Sequence, residues 1–125
     1  IQKRREIAKQ YDESFSNIDF LKTPKVNNSL EHAYHLYPLQ IDFQKLSITK
    51  VEFFEKMKGE GINLQVHYIP IHLQPFYGNN YGFKKGDFPI SESFYKNEVS
   101  LPIYPKLSVD EQEKVIGKIK QFTNE

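Results

Sequence analysis

The sequence predicts an α/β (α+β) fold, in which a small sheet of about three mostly antiparallel strands packs against helices. Three observations predict it. The 125 residues suffice for one domain with a modest core. The segments suited to helices and strands follow each other in the order α, β, α, β, α, β, α. Only three of these segments are suited to strands, so the helices must cover a small sheet.

The first helix is expected at residues 1–16. Ile1, Ala8, Tyr11 and Phe15 recur at helical spacing, and charged residues fill the gaps. No capping residue precedes this helix, and the chain begins without a methionine. We therefore expect a connecting helix at 1–16, followed by a small α/β domain at 17–125, in the C-terminal piece of a longer chain. The alternative is a shortened form of a small protein.

A loop at 17–29 leads to the strands, which alternation predicts. Residues over 33–43 alternate between two faces, with Ala33, His35, Tyr37, Leu39, Ile41 and Phe43 on one of them. Alternation over 62–68 predicts a second strand, and 99–103 a short third one. Pro38 indicates an edge position or an irregularity, and Pro102 indicates an edge position, because proline cannot donate to a ladder.

Two capping boxes predict where the other long helices begin. Thr49 with Glu52, and Ser108 with Glu111, have the spacing at which hydroxyl and carboxylate satisfy free backbone N–H groups. The first helix should run to about Lys58 and end at glycines. The residues expected on the core faces of the two helices are Ile48, Val51, Phe54, Met57, Val109, Val115, Ile116 and Ile119. A short helix is expected over 90–98, after an exposed segment at 78–87.

Composition excludes several classes of function. A net charge of +1 gives no reason to expect a nucleic-acid or membrane partner. The absence of cysteine excludes disulfides, thiol nucleophiles and zinc sites built on cysteine. His32 with His35, and His67 with His72, lack the spacing of a usual metal pair, so no metal is expected.

The segment from His67 to Tyr77 is the candidate binding loop. It holds two histidines, two prolines and three aromatic residues. Its two prolines each fix a φ angle and make the loop stiff. Its two imidazoles can donate or accept hydrogen bonds. His72 is the best candidate for a ligand contact, although a histidine that packs the loop is an equally good interpretation. His67 is balanced between an exposed strand position and the site.

No complete catalytic set follows from the residues alone. Glu92, near the start of the short helix, is interpreted as stabilising that helix through its charge. No lysine lies in a sequence that would bury its amine and lower its pKa. We therefore predict no catalytic residue and no cofactor-binding residue in this chain.

Four segments in order carry a resemblance to a known family: A-Y-H-L-Y-P-L at 33–39, G-I-N-L-Q-V-H-Y-I-P-I-H-L-Q-P-F-Y at 61–77, F-P-I-S-E-S at 88–93 and S-L-P-I-Y-P-K-L-S at 100–108. Together they resemble the C-terminal domain of the DegT/DnrJ/EryC1/StrS sugar aminotransferases, most of all its pseudaminic acid branch. The opening Q-K-R-R-E-I-A-K-Q-Y resembles the helix that follows the large domain there. The resemblance covers essentially the whole chain.

The resemblance implies a fold-type I enzyme that uses pyridoxal 5′-phosphate (PLP), and the absence of cysteine fits a cytoplasmic protein. An amino donor, usually glutamate, loads the cofactor, and the amine passes to the keto group of a UDP-linked sugar. The family typically forms homodimers whose sites draw on both subunits. The lysine that binds the cofactor, and the groups around it, belong to the large domain of the family, which is absent here, so the fragment alone should be inactive.

The resemblance also assigns site residues. The P-x-H segment of the family lies near the mouth of the substrate site and matches Pro70 to His72. His72 is therefore expected to contact the sugar nucleotide, with His67, Tyr68 and Tyr77 as neighbours. The rival hypothesis is a non-catalytic module whose aromatic loop binds a protein or a carbohydrate. A stand-alone hydrolase lacks a nucleophile and base that could be paired.

Overall fold

The computed structural model describes residues 1–27 and 29–124, which contain five α-helices and one three-stranded sheet. The helices are α1 Gln2–Phe15, α2 Lys50–Gly59, α3 Pro75–Tyr81, α4 Pro89–Asn97 and α5 Val109–Thr123. The strands are β1 Leu21–Lys22, β2 Pro38–Ile41 and β3 Glu98–Ser100. Short 3₁₀ turns occupy Phe43–Lys45 and Ile71–Leu73. No helix of the described part is long and apolar enough to cross a membrane.

The sheet has the order β1-β2-β3, and both pairs are antiparallel. Leu21 pairs with Ile41 at one side of β2, and Pro38 pairs with Ser100 at the other. The predicted fold class, a small sheet of three antiparallel strands packed with helices, is thereby confirmed. Pro38 lies at the start of the central strand, so the expectation that it marks an edge was wrong; a first position tolerates the missing N–H.

Two predicted strands differ from the structure: one is much shorter than expected and the other does not form. Of the segment 33–43 only Pro38–Ile41 is strand, and Ala33 and His35 are exposed. The segment 62–68 forms no strand and contributes a single bridge between Gln65 and Ser100. Apolar and polar residues do alternate over 62–68, but within this segment only Gln65 pairs with another strand. The loop predicted at 17–29 is interrupted by β1, and its Asn28 lies outside the described residues.

The capping boxes and the long helices are confirmed. Thr49 and Ser108 each accept the N–H of the glutamate three residues on, and that glutamate bonds back to the cap. The N–H of Ile62 bonds to the carbonyl of Met57, and Gly61 has φ +76°, a conformation that glycine adopts without strain. α4 also agrees with the predicted short helix, whereas α3 was not predicted.

The core lies between α1, α2, α5 and one face of the sheet. Its fully buried side chains include Tyr11, Phe15, Tyr37, Leu39, Ile41, Phe53, Met57, Val99 and Ile119. Val51 and Val109, expected in the core, are exposed, and Phe53 rather than Phe54 is the fully buried ring. The hydroxyl of Tyr37 donates to Asp12 Oδ1 at 2.6 Å, so even the aromatic centre satisfies its polar atoms.

Candidate functional site

The loop from His67 to Tyr77 is stiffened by its two prolines. Pro70 precedes the 3₁₀ turn Ile71–Leu73, and Pro75 is the first residue of α3. Proline suits a first helical position because the N–H it lacks would be unpaired there. The chain therefore turns twice within seven residues and places the side chains of the loop beside those of α4.

An aromatic cavity of about 520 Å³ lies between this loop and α4. Its walls are His67, Tyr68, Ile69, Pro70, Ile71, His72, Tyr77, Phe83, Phe88, Ser91 and Phe94. The rings form a chain of contacts, with centroids 6.0 Å apart for Tyr77 and Tyr81 and 5.7 Å apart for Phe83 and Phe88. A mainly apolar concave surface with a few polar tips is typical of a ligand site.

The four predicted site residues, His67, Tyr68, His72 and Tyr77, all line this one cavity. Tyr68 is the most accessible of them, with 72% of its surface exposed. Tyr77 is partly buried, whereas His72 is only 7% exposed. The structure therefore brings the predicted residues together, and their accessibility differs sharply.

His72 is held by Glu92. Its Nε2 lies 2.8 Å from Glu92 Oε1, and the same oxygen accepts the N–H of Gly86 at 2.8 Å. These hydrogen bonds, that of His72 first, lower the pKa of the Glu92 carboxyl below its ordinary value. Glu92 also accepts the N–H of Phe88 at the start of α4, as its expected helix-stabilising role requires. The pair with His72, twenty residues away, had no signal in the sequence.

His67 belongs to a second hydrogen-bonded group that sequence reasoning missed. Its Nδ1 lies 2.8 Å from Ser100 Oγ, and its backbone N–H donates to Glu98 Oε2 at 2.9 Å. Ser100 Oγ in turn donates to Glu98 Oε1 at 2.5 Å. Glu98 is fully buried. Glu98 lies between Asn97 and Val99, a local sequence that gives no signal of a buried carboxylate.

The other histidines lie elsewhere. His35, interpreted as a satisfied histidine beside the core, is exposed, with Nδ1 3.4 Å from Arg4 Nη1. The carbonyl of His32 accepts from Arg5 Nε at 2.9 Å. A larger cavity of about 750 Å³ lies there, between α1 and residues 23–27 and 30–34, but Arg5 is already engaged at its wall. Within the described part of the chain no three His, Asp or Glu residues form a metal site.

This chain belongs to the DegT/DnrJ/EryC1/StrS aminotransferase family, which its residues 1–120 match. The spore coat polysaccharide biosynthesis protein SpsC of Bacillus subtilis is 42% identical over 124 residues, which are 98% of this chain and 32% of SpsC. The UDP-4-amino-4,6-dideoxy-N-acetyl-β-L-altrosamine transaminase of Campylobacter jejuni (strain NCTC 11168) is 33% identical over 109 residues, 87% of this chain and 28% of that protein.

The structural comparison agrees with the sequence comparison. The PLP form of Spr1654 from Streptococcus pneumoniae superposes with a TM-score of 0.86 at 26% identity, over 98% of this chain and 31% of that one. The chain thus spans about a third of the length of the relatives that it matches. Aminotransferases of this family depend on PLP.

The described residues do not fit a PLP site by themselves. The expectation that no lysine would have a buried amine with a lowered pKa was wrong for Lys50, because burial lowers its pKa. That amine donates to the carbonyl of Tyr95 at 2.8 Å and lies over the rings of Phe54 and Tyr95. The adjoining cavity is lined mainly by apolar side chains and has no aspartate to pair with a pyridine nitrogen.

Proposed function

We propose that this chain is the small C-terminal domain of a PLP-dependent aminotransferase that acts on nucleotide-linked sugars. The amine would come from an amino acid, glutamate by family resemblance, and pass to the keto group of a UDP-linked sugar. The transaminase of C. jejuni, named for a UDP-linked amino sugar, supports this substrate class. SpsC, which is more similar, supports a role in surface polysaccharide synthesis.

One observation carries the proposal: the residues that the resemblance assigned to the substrate site line a single aromatic cavity. Aromatic faces pack against the apolar faces of sugar rings, while imidazole and phenol groups bond to hydroxyls. Tyr68 offers both properties at the surface, and Tyr77 offers them at the cavity wall. In this proposal the chain binds and orients the sugar nucleotide, and the cofactor with its lysine belongs to the large domain.

The exposed apolar surface around the cavity bears on assembly. Ile71, Phe76, Tyr81 and Ile90 are each more than half exposed. A soluble monomer rarely leaves many large apolar side chains open to water. We propose that the large domain and a second subunit cover this surface in a cytoplasmic homodimer, with residues 1–16 as the connecting helix and 17–125 as the small domain.

The same surface supports a second candidate function, a non-catalytic module that binds a carbohydrate or a protein. A module would place its own ligand in the aromatic cavity without a cofactor. The two functions differ in what the full-length polypeptide does with PLP and with an amino donor.

The test is an absorbance scan of the full-length polypeptide before and after borohydride reduction. The aminotransferase proposal predicts a visible band that reduction abolishes, and PLP then bound covalently to a lysine outside residues 1–125. It also predicts that glutamate and a UDP-linked keto sugar yield 2-oxoglutarate and the amino sugar. A colourless protein that takes up no added PLP would refute the aminotransferase and favour the module.

A further inference from the structure

We propose that Glu98 and Ser100 are positioning residues that hold His67 with its proton on Nδ1, so that Nε2 accepts a hydrogen bond from a ligand in the aromatic cavity. The ligand group is a hydroxyl or an N–H. Identifying it as a hydroxyl of a sugar nucleotide rests on the proposed function. The hydrogen-bond chain itself rests only on the structure.

The chain of hydrogen bonds begins at Glu98. This carboxylate is fully buried at the start of β3, where an unpaired charge would be very costly. Its two oxygens are both used: Oε2 accepts the backbone N–H of His67, and Oε1 accepts the hydroxyl of Ser100. The ammonium of Lys50 interacts electrostatically with it. Glu98 therefore acts as an acceptor at both oxygens.

Because Glu98 accepts at both oxygens, Ser100 must donate to it and can only accept from the imidazole of His67. A serine hydroxyl has one hydrogen, and Ser100 gives it to Glu98. The 2.8 Å contact with His67 Nδ1 must then be donated by the imidazole, which places the proton on Nδ1. The backbone of Ser100 is fixed by two hydrogen bonds to Gln65, at 2.8 and 3.3 Å. Hydrogen bonds to Glu98 and His67 thus hold the hydroxyl of Ser100, while the bonds to Gln65 hold its backbone.

His67 consequently presents Nε2 as an acceptor. In a neutral imidazole with Nδ1 protonated, the other nitrogen carries the lone pair. Among residues 1–27 and 29–124, none forms a hydrogen bond with this nitrogen, although the ring lines the cavity and packs edge-on against Tyr68. His72 differs, because Glu92 occupies its Nε2. His72 is also only 7% exposed, whereas His67 is partly exposed, so Nε2 of His67 is the better placed acceptor for a ligand.

The reverse direction of these hydrogen bonds gives a different prediction. If Glu98 were protonated it would donate to Ser100, and Ser100 would donate to Nδ1. His67 would then carry its proton on Nε2 and suit a carbonyl or phosphate oxygen. The two directions of hydrogen bonding differ in whether Nδ1 or Nε2 of His67 carries the proton. Nitrogen chemical shifts report this difference directly.

The experiment is ¹⁵N NMR of the full-length polypeptide labelled in histidine, at about pH 8, above the ordinary histidine pKa of about 6.5. The resonances of His67 are those lost in His67→Gln. We expect a protonated shift for Nδ1 and an unprotonated shift for Nε2. In Ser100→Ala the two shifts should move toward each other as both tautomers become populated. Ser100→Thr, which keeps a hydroxyl, and Ser93→Ala, on the exposed surface of α4, should leave them unchanged.

An unprotonated Nδ1 in the unaltered protein would overturn the proposal, and so would unchanged shifts in folded Ser100→Ala. Kinetics supply the second readout: Ser100→Ala should raise KM for the sugar nucleotide about tenfold, with KM for the amino donor unchanged. Equal KM values in both proteins would contradict the link to the ligand. The shifts are measured without catalysis, so a protein that fails to transfer amines refutes the proposed function and leaves the assignment of the tautomer standing.

Discussion

The helices of this chain divide into two groups with opposite surfaces. α1, α2 and α5 each bury side chains in the core, and the last two begin with capping boxes. α3 and α4 bury no residue, begin with proline in place of a side-chain cap, and expose aromatic rings. The first group gains its stability from apolar burial, whereas the second depends on ring contacts and a few polar bonds.

This difference indicates where the chain uses its aromatic residues for binding. Rings inside the core have their neighbours already. Most rings around the aromatic cavity are partly exposed, and hydrogen bonds to Glu92, Glu98 and Ser100 hold the histidines among them. An open surface with fixed polar groups can receive a ligand or another domain without first rearranging.

The largest effect expected is on stability in the core. Phe53→Ala removes a fully buried ring that packs against Phe43, with centroids 5.7 Å apart. It should lower the free energy of unfolding by about 3–5 kcal/mol. Phe76→Ala removes an exposed ring beside the aromatic cavity and should change it by less than about 0.5 kcal/mol. Urea unfolding of both variants checks the comparison, and similar losses would mean that the aromatic surface is part of the core.

A smaller effect is expected at the helix caps. Thr49→Ala deletes the hydroxyl that accepts the N–H of Glu52 and should cost about 1 kcal/mol. The matched change in the other group is Ser91→Ala, in the first turn of α4, where no side-chain cap exists. It should be neutral within about 0.5 kcal/mol. The midpoints of urea unfolding decide this, and equal costs would remove the contrast between the two groups of helices.

The smallest effect is expected on how the free energy of unfolding declines at acid pH. The pKa of Glu92 is lowered on folding, so its contribution is present above the ordinary glutamate pKa of about 4.3 and is lost as pH falls through the folded value below that. Glu92→Gln should therefore weaken the decline of stability below about pH 4.3. Unfolding midpoints against pH measure this slope. Glu113→Gln, on the exposed face of α5, is the control, and an identical decline in all three proteins would contradict the account.

The sequence predicted the parts of the fold that local chemistry determines. A capping box, a glycine at a helix end and a helical apolar repeat each act within a few residues, so α1, α2 and α5 were found. The strands were overestimated because alternation reports which side chains are apolar and not which backbone groups find partners. α3 was missed because its sequence, with Gly78 and two asparagines, has the composition of a loop and Pro75 alone signals its start.

The candidate site was predicted in part for the same reason. His67, Tyr68, His72 and Tyr77 lie within eleven residues, so a single loop brings them together. Glu92, Glu98 and Ser100 come from α4 and β3, and their contacts with the two histidines span 20 to 33 residues. Such pairs depend on how the loop packs against the sheet, which no local pattern encodes.

The most direct test of the claim that the aromatic cavity faces the substrate is the KM for a UDP-linked keto sugar in the full-length polypeptide. Tyr68→Ala removes the exposed ring at the cavity, and Tyr104→Ala removes an exposed ring that does not line it. The account predicts that Tyr68→Ala raises this KM up to about tenfold and leaves the KM for glutamate unchanged. Tyr104→Ala should alter neither value. Unchanged kinetics in Tyr68→Ala, or the same rise in both variants, would contradict it.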